Sequence, residues 1–221
     1  MTPVRAVLFD LDGTLHDRNA TVQGWLSGHM ERFGLPAGYA ERFTELDDYG
    51  YRPKREVFPI LIGEFGLLHD SDSLLDDYQS QLLAAPHLMA HALDVLTRLN
   101  ANSIQTGIVT NGLTGWTGAQ ALCIERLGLT PLFDTVLNSV NIGFSKPDPR
   151  IYTLALERLG VSAAETWFVG DSPKNDVWGP QQVGMRAAFL PTGHALSGET
   201  PDAVLNDLRD VLQLEGLAVP A

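Results

Sequence analysis

Two aspartates separated by a single residue, Asp10 and Asp12 in the run FDLDGTL at 9–15, are the first place where this sequence of 221 residues gathers groups that could do chemistry. Residues two apart at the end of a strand face the same side, so both carboxyl groups can address one site. Carboxylates that close repel, and one keeps a proton unless a cation is present. Three later clusters supply complementary groups: VTNG at 109–112, SKPDPRIY at 145–152 and FVGDSPKND at 168–176. Thr110 offers a hydroxyl, and Asn111 and Gly112 offer backbone N–H donors. Lys146 is a localised cation in a chain with three lysines and twelve arginines, and Pro147 biases its backbone to an extended form. Asp171 follows an apolar run through a single glycine. With Asp10 it makes a hard-oxygen set suited to a divalent ion such as Mg²⁺. Asp176 has two readings, an acceptor for metal-bound water or an acid favoured at a helix N-terminus.

These groups need elements to hold them. Val4–Phe9 reads as a short buried strand stopped by DLDG, and Ile104–Thr110, Thr135–Leu137, Thr166–Val169 and Ala187–Leu190 read as further strands. Helices are expected between them: around Ala92, Val95, Leu96 and Leu99, over 114–127, from an Asp148 cap and Pro149 through Leu159, and at Leu208, Val211 and Leu212. A helix starting at Ser172-Pro173 is expected to be cut short by Gly179-Pro180. Strands alternating with helices predict an α/β fold, a Rossmann-like, mostly parallel sheet with helices on both faces. Ligands of such sheets gather at the carboxyl ends of the strands, where the four clusters fall. From about 16 to 90 the pattern is helical only. Val22, Trp25, Leu26, Met30 and Phe33 form one stripe, and Leu74, Leu75, Tyr78 and Leu82 another. Between them Val57, Phe58, Leu61, Ile62 and Phe65 predict a third helix, kinked or delayed by Pro59. The expected organisation is a core domain of residues 1–15 and 90–221 and a small all-helical domain of residues 16–89, with hinges at His16–Asn19 and Pro86.

Composition narrows the function. Acidic residues outnumber basic ones 27 to 15, a formal net charge of -12, and such a field repels a phosphate backbone, so no nucleic-acid partner is expected. Hydrophobic residues make up 44% and charged ones 19%, the balance of a chain that packs a core. The single Cys123 excludes an intrachain disulfide and a cysteine zinc cluster. No apolar stretch approaches the ~20 residues of a membrane span, and the first apolar run meets Asp10 and Asp12 too soon for an export signal. The expectation is a cytoplasmic protein with no membrane partner.

In order and spacing, the four clusters resemble the signature motifs of the haloacid dehalogenase-like (HAD) hydrolase superfamily, in its phosphatase branch with a helical cap inserted after the first core strand. The resemblance covers nearly the whole core. It implies Asp10 as a nucleophile that forms an aspartyl-phosphate, and Asp12 as the group that protonates the leaving oxygen and then deprotonates the attacking water. It also implies Thr110, with Asn111 and Gly112, binding the phosphoryl group, Lys146 compensating charge, and Asp10, Asp12 and Asp171 holding Mg²⁺ with Asp176 behind them. The implied activity is hydrolysis of a small phosphorylated metabolite. The dehalogenase branch lacks the second aspartate of the first motif, so Asp12 argues against that activity. A sugar-phosphate mutase of the same fold, a lid-lysine phosphonate hydrolase using Lys54, and a non-enzymatic phospho-acceptor module are the alternatives.

Within the helical segment, Arg52, Lys54 and Arg55 form a basic cluster in an acidic surrounding. They are candidate contacts for an anionic substrate, or a surface loop paired with Glu45, Asp47 and Asp48. His16 is expected at a hinge surface, and Trp116, Trp167, Trp178 and Cys123 in packing roles.

Overall fold

A computed structural model of the chain describes residues 2–112 and 116–219. Its six strands are β1 (Ala6–Phe9), β2 (Gln105–Thr110), β3 (Thr135–Asn138), β4 (Thr166–Gly170), β5 (Arg186–Phe189) and β6 (Ala203–Val204). All neighbours pair in parallel, in the order β3-β2-β1-β4-β5-β6. Every side chain of β1 is buried, as a strand covered on both faces requires. The chain builds outward from β1 through β2 to β3, then returns to the other side of β1 for β4. That reversal opens a crevice at the carboxyl ends of β1 and β4. Phe9 is level with both Ile108 and Val169, so Asp10, Thr110 and Asp171 all leave the sheet at the same edge. The strands fall within two residues of the sequence expectation. The two-residue β6 lacks a pattern long enough to read.

The chain divides into two compact units, residues 1–17 with 88–221, and residues 18–87. The second is built from α1 (Arg18–Phe33), α2 (Tyr39–Asp47), α3 (Lys54–Phe65) and α4 (Ser71–Gln81). Its interior is aromatic: the Trp25 ring lies 5.1 Å from Phe43 and 5.2 Å from Tyr78. The sequence reading missed α2, although Tyr39, Phe43 and Leu46 are spaced for one buried face. It also expected Pro59 to kink or delay α3. The start is not delayed: the helix begins at Lys54 and contains Pro59, which sits on an exposed face where water can serve the carbonyl that loses its partner.

Against the sheet lie α5 (Ala92–Ala101), α6 (Ala119–Arg126), α7 (Ser139–Ile142) and α8 (Pro149–Leu159), with helices on both faces. The Asp148 side chain caps α8 by accepting the Arg150 N–H. Residues 114 and 115 of the helix expected over 114–127 lie outside the described residues. Gly179-Pro180 does not end the helix after Ser172. A wide π turn over Pro173–Trp178 runs on into Gly179–Gln181, and the Gly179 N–H reaches back to the Lys174 carbonyl. This wider spacing accommodates a proline that has no N–H to give. Leu208–Gln213 is a 3₁₀ turn. Cys123 and Trp167 are buried, whereas Trp178 is exposed, with the Lys174 ammonium over its ring, contrary to its expected packing role. Among the described residues, no helix is long and apolar enough to cross a membrane.

Candidate active site

The carboxyl edge of β1 delivers Asp10, whose N–H is tied to the Val169 carbonyl of β4 at 2.9 Å. Its Oδ1 accepts a hydrogen bond from Lys146 Nζ at 2.6 Å, across 136 positions of sequence. Lys146 reaches this point because Asn111, just past β2, clasps its backbone. Asn111 Nδ2 donates to the Lys146 carbonyl at 2.9 Å, and the Lys146 N–H donates to Asn111 Oδ1 at 2.8 Å. The ammonium also donates to Asp176 Oδ1 at 2.7 Å, while Asp176 Oδ2 accepts the Ser172 N–H at 2.9 Å. Burial opposes the charge on Lys146, yet Asp10 and Asp176 hold its ammonium far above the ordinary lysine range. Both oxygens of Asp176 are therefore engaged by protein donors. Neither sequence reading of Asp176 anticipated its place as the second anchor of Lys146.

Asp171, just beyond β4, completes an acidic group. One carboxylate oxygen from each of Asp10, Asp171 and Asp176 lies within 4.8 Å of the others. Burial pushes the Asp10 carboxyl up to about 7 even with Lys146 pulling it down. Burial, then repulsion from Asp10 and Asp176, pushes Asp171 up to about 9. With all three carboxyl groups ionised, one ammonium would leave the cluster two positive charges short. An all-oxygen donor set with that deficit suits a hard divalent cation. Two glycines frame Asp171. A Cβ at Gly13, whose φ is 87°, or at Gly193 would collide with the Asp171 carboxylate. The Thr192 hydroxyl, one residue away, donates to the Gly13 carbonyl. The sequence reading missed this clasp, for which the only signal was a glycine shortly after a strand.

Asp12 keeps its side chain out of the acidic group. Its Oδ1 lies 2.6 Å from His16 Nδ1. His16 is not at a hinge surface as expected. It is buried, because the tight turn after β1 folds it back, with the His16 N–H donating to the Leu11 carbonyl at 2.8 Å. Thr110, the last residue of β2, has its side chain buried. The Gly112 amide, expected as a phosphate donor, instead donates to Ser139 Oγ at 2.9 Å. That bond arises because α7 starts directly after β3 and presents its first hydroxyl.

The basic cluster of the helical unit also departs from expectation. Lys54 belongs neither to a surface loop nor to a set of free cations. It is buried at the start of α3, with Nζ 2.5 Å from Asp47 Oδ1 and 2.7 Å from the Arg52 carbonyl. Arg18 grips the same carboxylate through two bonds, at 2.6 and 2.9 Å. Arg52 is half-exposed, with Glu56 at 3.7 Å, and Arg55 is exposed. Of the expected acidic partners, Asp47 takes Lys54, while Glu45 pairs with Arg42.

Comparison with known proteins identifies the family. A family model described as haloacid dehalogenase-like hydrolase matches residues 4–184. The ribulose-1,5-bisphosphate 5-phosphatase of Halopiger xanaduensis is 32% identical, over 89% of each chain. The glyceraldehyde 3-phosphate phosphatase of Methanocaldococcus jannaschii is 24% identical over 96% of each. The phosphoglycolate phosphatase of Yersinia pestis is 28% identical over 97% of this chain and 94% of its own. Among solved structures, the HAD-hydrolase YfnB of Bacillus subtilis, bound to magnesium, superposes with a TM-score of 0.79 at 25% identity, covering 96% of this chain and 98% of that one. An L-2-haloacid dehalogenase of Xanthobacter autotrophicus shares the fold at 22% identity, with a TM-score of 0.72 and coverage of 96% and 98%.

Proposed function

Since this chain belongs to the haloacid dehalogenase-like hydrolase family, we propose that it is a Mg²⁺-dependent phosphomonoester hydrolase that works through an aspartyl-phosphate on Asp10. The observation that carries the reading is the 2.6 Å contact between Lys146 Nζ and Asp10 Oδ1, with Asp171 in the same acidic group. Lys146 keeps Asp10 close to a phosphoryl group that would otherwise be repelled, and Asp176 and Asn111 fix the ammonium in place. Asp10, Asp171 and the Asp12 carbonyl would hold the ion, which when bound supplies positive charge against the carboxylates and the phosphoryl oxygens.

The chain's own groups do the rest. An Asp10 oxygen forms a bond to phosphorus as the bond from phosphorus to the ester oxygen breaks, and Asp12 gives that oxygen its proton. Asp12, now a carboxylate, then takes a proton from water as the water oxygen bonds to phosphorus and the bond to Asp10 breaks. Free phosphate and both original carboxyl groups result. Thr110 supplies a hydroxyl at the same sheet edge. The presence of Asp12 favours this chemistry over dehalogenation, which needs no acid for a halide leaving group.

The substrate class we propose is a small phosphorylated metabolite in the cytoplasm, because the relatives act on short phosphorylated sugars and acids. Phosphate release should be measured over a panel including phosphoglycolate, glyceraldehyde 3-phosphate and ribulose 1,5-bisphosphate, with Mg²⁺ and with excess chelator. Release that requires Mg²⁺, with an acid-stable, hydroxylamine-labile phosphate on the chain, is the expected result. Activity untouched by the chelator would reject the metal assignment, and absence of release from every ester would reject the hydrolase.

A further inference from the structure

We propose that His16 is the positioning residue for Asp12, holding its carboxyl group in the one orientation from which it can protonate a leaving oxygen. The inference rests on the phosphatase reading above and adds a residue to it. Asp12 has a side chain one-third exposed (33%), while that of His16 beneath it is 2% exposed. An exposed aspartate ordinarily samples several rotamers. The 2.6 Å contact from His16 Nδ1 to Asp12 Oδ1 has the length of a charge-assisted hydrogen bond, in which Nδ1–H donates to the carboxylate.

The imidazole is itself held. The backbone that carries it is fixed: the His16 main-chain N–H donates to the Leu11 carbonyl at 2.8 Å, its main-chain carbonyl accepts the Gly13 N–H at 2.9 Å, and the residue forms backbone bridges to Asp12 and to Leu88. A rigid, buried donor fixed to both flanks of the motif is a strong constraint on an otherwise mobile side chain. Burying an imidazole there costs desolvation, and a leucine would fill the same space without that cost. The contact to Asp12 gives the histidine a reason to be there.

The consequence depends on the leaving group. When the Asp10–phosphorus bond forms and the ester bond breaks, an alkyl oxygen departs as a strong base and must take a proton from Asp12. The oxygen of p-nitrophenol departs as a weak base and needs none. Loss of the Asp12 orientation should therefore slow alkyl esters selectively. A residue that only stabilised the fold, the ion or the phosphoryl pocket would slow both alike.

The test compares kcat/KM of His16→Leu with that of the natural protein, at saturating Mg²⁺, on p-nitrophenyl phosphate and on whichever alkyl phosphate of the panel is hydrolysed. The expected result is a loss on the order of 10²-fold for the alkyl ester and under about 3-fold for the aryl ester. His16→Asn, whose amide N–H can donate from nearly the position of Nδ1, should recover most of the alkyl activity. Equal losses on both esters, or no loss on either, would overturn the assignment while leaving the hydrolase intact. A natural protein inactive on both esters would instead reject the phosphatase reading. If His16→Leu does not fold, His16→Phe, nearer in ring size, is read by the same two ratios.

Discussion

Buried carboxylates occur in both units of this protein, and the two units balance them in opposite ways. In the helical unit, Asp47 receives Arg18 through two bonds and Lys54 through a third. Asp77 receives Arg32 through two bonds, Trp25 Nε1 at 2.9 Å and His29 Nδ1 at 2.7 Å. Burial alone would raise the Asp47 carboxyl, but Arg18 and Lys54 bring it below the ordinary value. Asp77 is likewise held low against its burial by Arg32, His29 and Trp25. At the sheet edge the ratio is inverted: three carboxylates share one ammonium, and two of them are pushed up. The comparison separates structure from function without any appeal to motif. Carboxylates whose charge is met in full hold helices together. A cluster left short of positive charge costs stability in the empty protein and is poised to gain it from a cation.

The sharpest way to break that comparison is to neutralise one carboxylate from each unit. Asp10→Asn should lower turnover by at least ~10³-fold, because the nucleophile is gone. The metal-free protein at pH 8 should melt no lower than the natural one, since a repelling charge has been removed. Asp47→Ala should do the reverse. It leaves Arg18 and Lys54 buried against each other, at a cost of about 3–5 kcal/mol, a Tm fall of roughly 6–20 °C. Thermal melts beside phosphate-release assays check both. An active Asp10→Asn protein free of reverted aspartate, or an Asp47→Ala protein of full stability, would dissolve the distinction.

A milder test uses pH. The Asp10 and Asp171 carboxyls are raised from 3.8 to about 7 and about 9, so the folded state retains protons that the unfolded chain has already released. Stability of the metal-free protein should therefore fall as pH rises from about 4, levelling only above about 9. Asp47 has the opposite sign. Its value is depressed, so its contribution is complete above the ordinary carboxylate value and is lost as pH falls through the depressed one. Saturating Mg²⁺ competes with the protons on Asp10 and Asp171 and should flatten the alkaline decline while leaving the acid limb alone. Melts at pH 5, 7 and 9, with chelator and with Mg²⁺, read this directly. A Tm that climbs from pH 5 to 9 in chelator contradicts it.

How much of this was legible in the sequence varied with the range of the interaction. Helix α8 could be read from Asp148 and Pro149 because capping is local, and the strands because buried parallel strands are continuous apolar runs. The convergence of Asp10 and Asp171 was readable because each follows a strand, and parallel strands deliver their ends to one edge; Lys146 comes from the loop between α7 and α8. What escaped was set by contacts that periodicity does not encode. Lys54 was misplaced because its partner Asp47 closes a different helix. Gly112 lost its expected role to Ser139, which arrives from the neighbouring strand, and Asp176 gained one through the width of a π turn. The burial of His16 escaped because nothing in a DGTLH run says that the chain doubles back onto the first aspartate pair.

The smallest effect concerns the basic cluster, and it sharpens the comparison by dividing neighbours within one unit. Arg52 is two residues from Lys54, yet its side chain is 39% exposed and its contact with Glu56 is a long 3.7 Å, whereas Lys54 is sealed against Asp47. An exposed i,i+4 pair of this kind contributes at most a few tenths of a kcal/mol, so Arg52→Ala should shift Tm by only about 1 °C. Lys54→Ala removes one of the two cations from a buried carboxylate and should cost several times more. If Arg52 serves the structure alone, KM for every active ester stays at its natural value in Arg52→Ala. If the half-exposed guanidinium reads the anionic end of the substrate, KM rises several-fold at constant kcat and only for esters carrying a second charge. Either outcome assigns Arg52, because the thermal shift is too small to disguise a change in binding. The same reading cannot be made from Lys54, where a lost ion pair would alter both quantities at once.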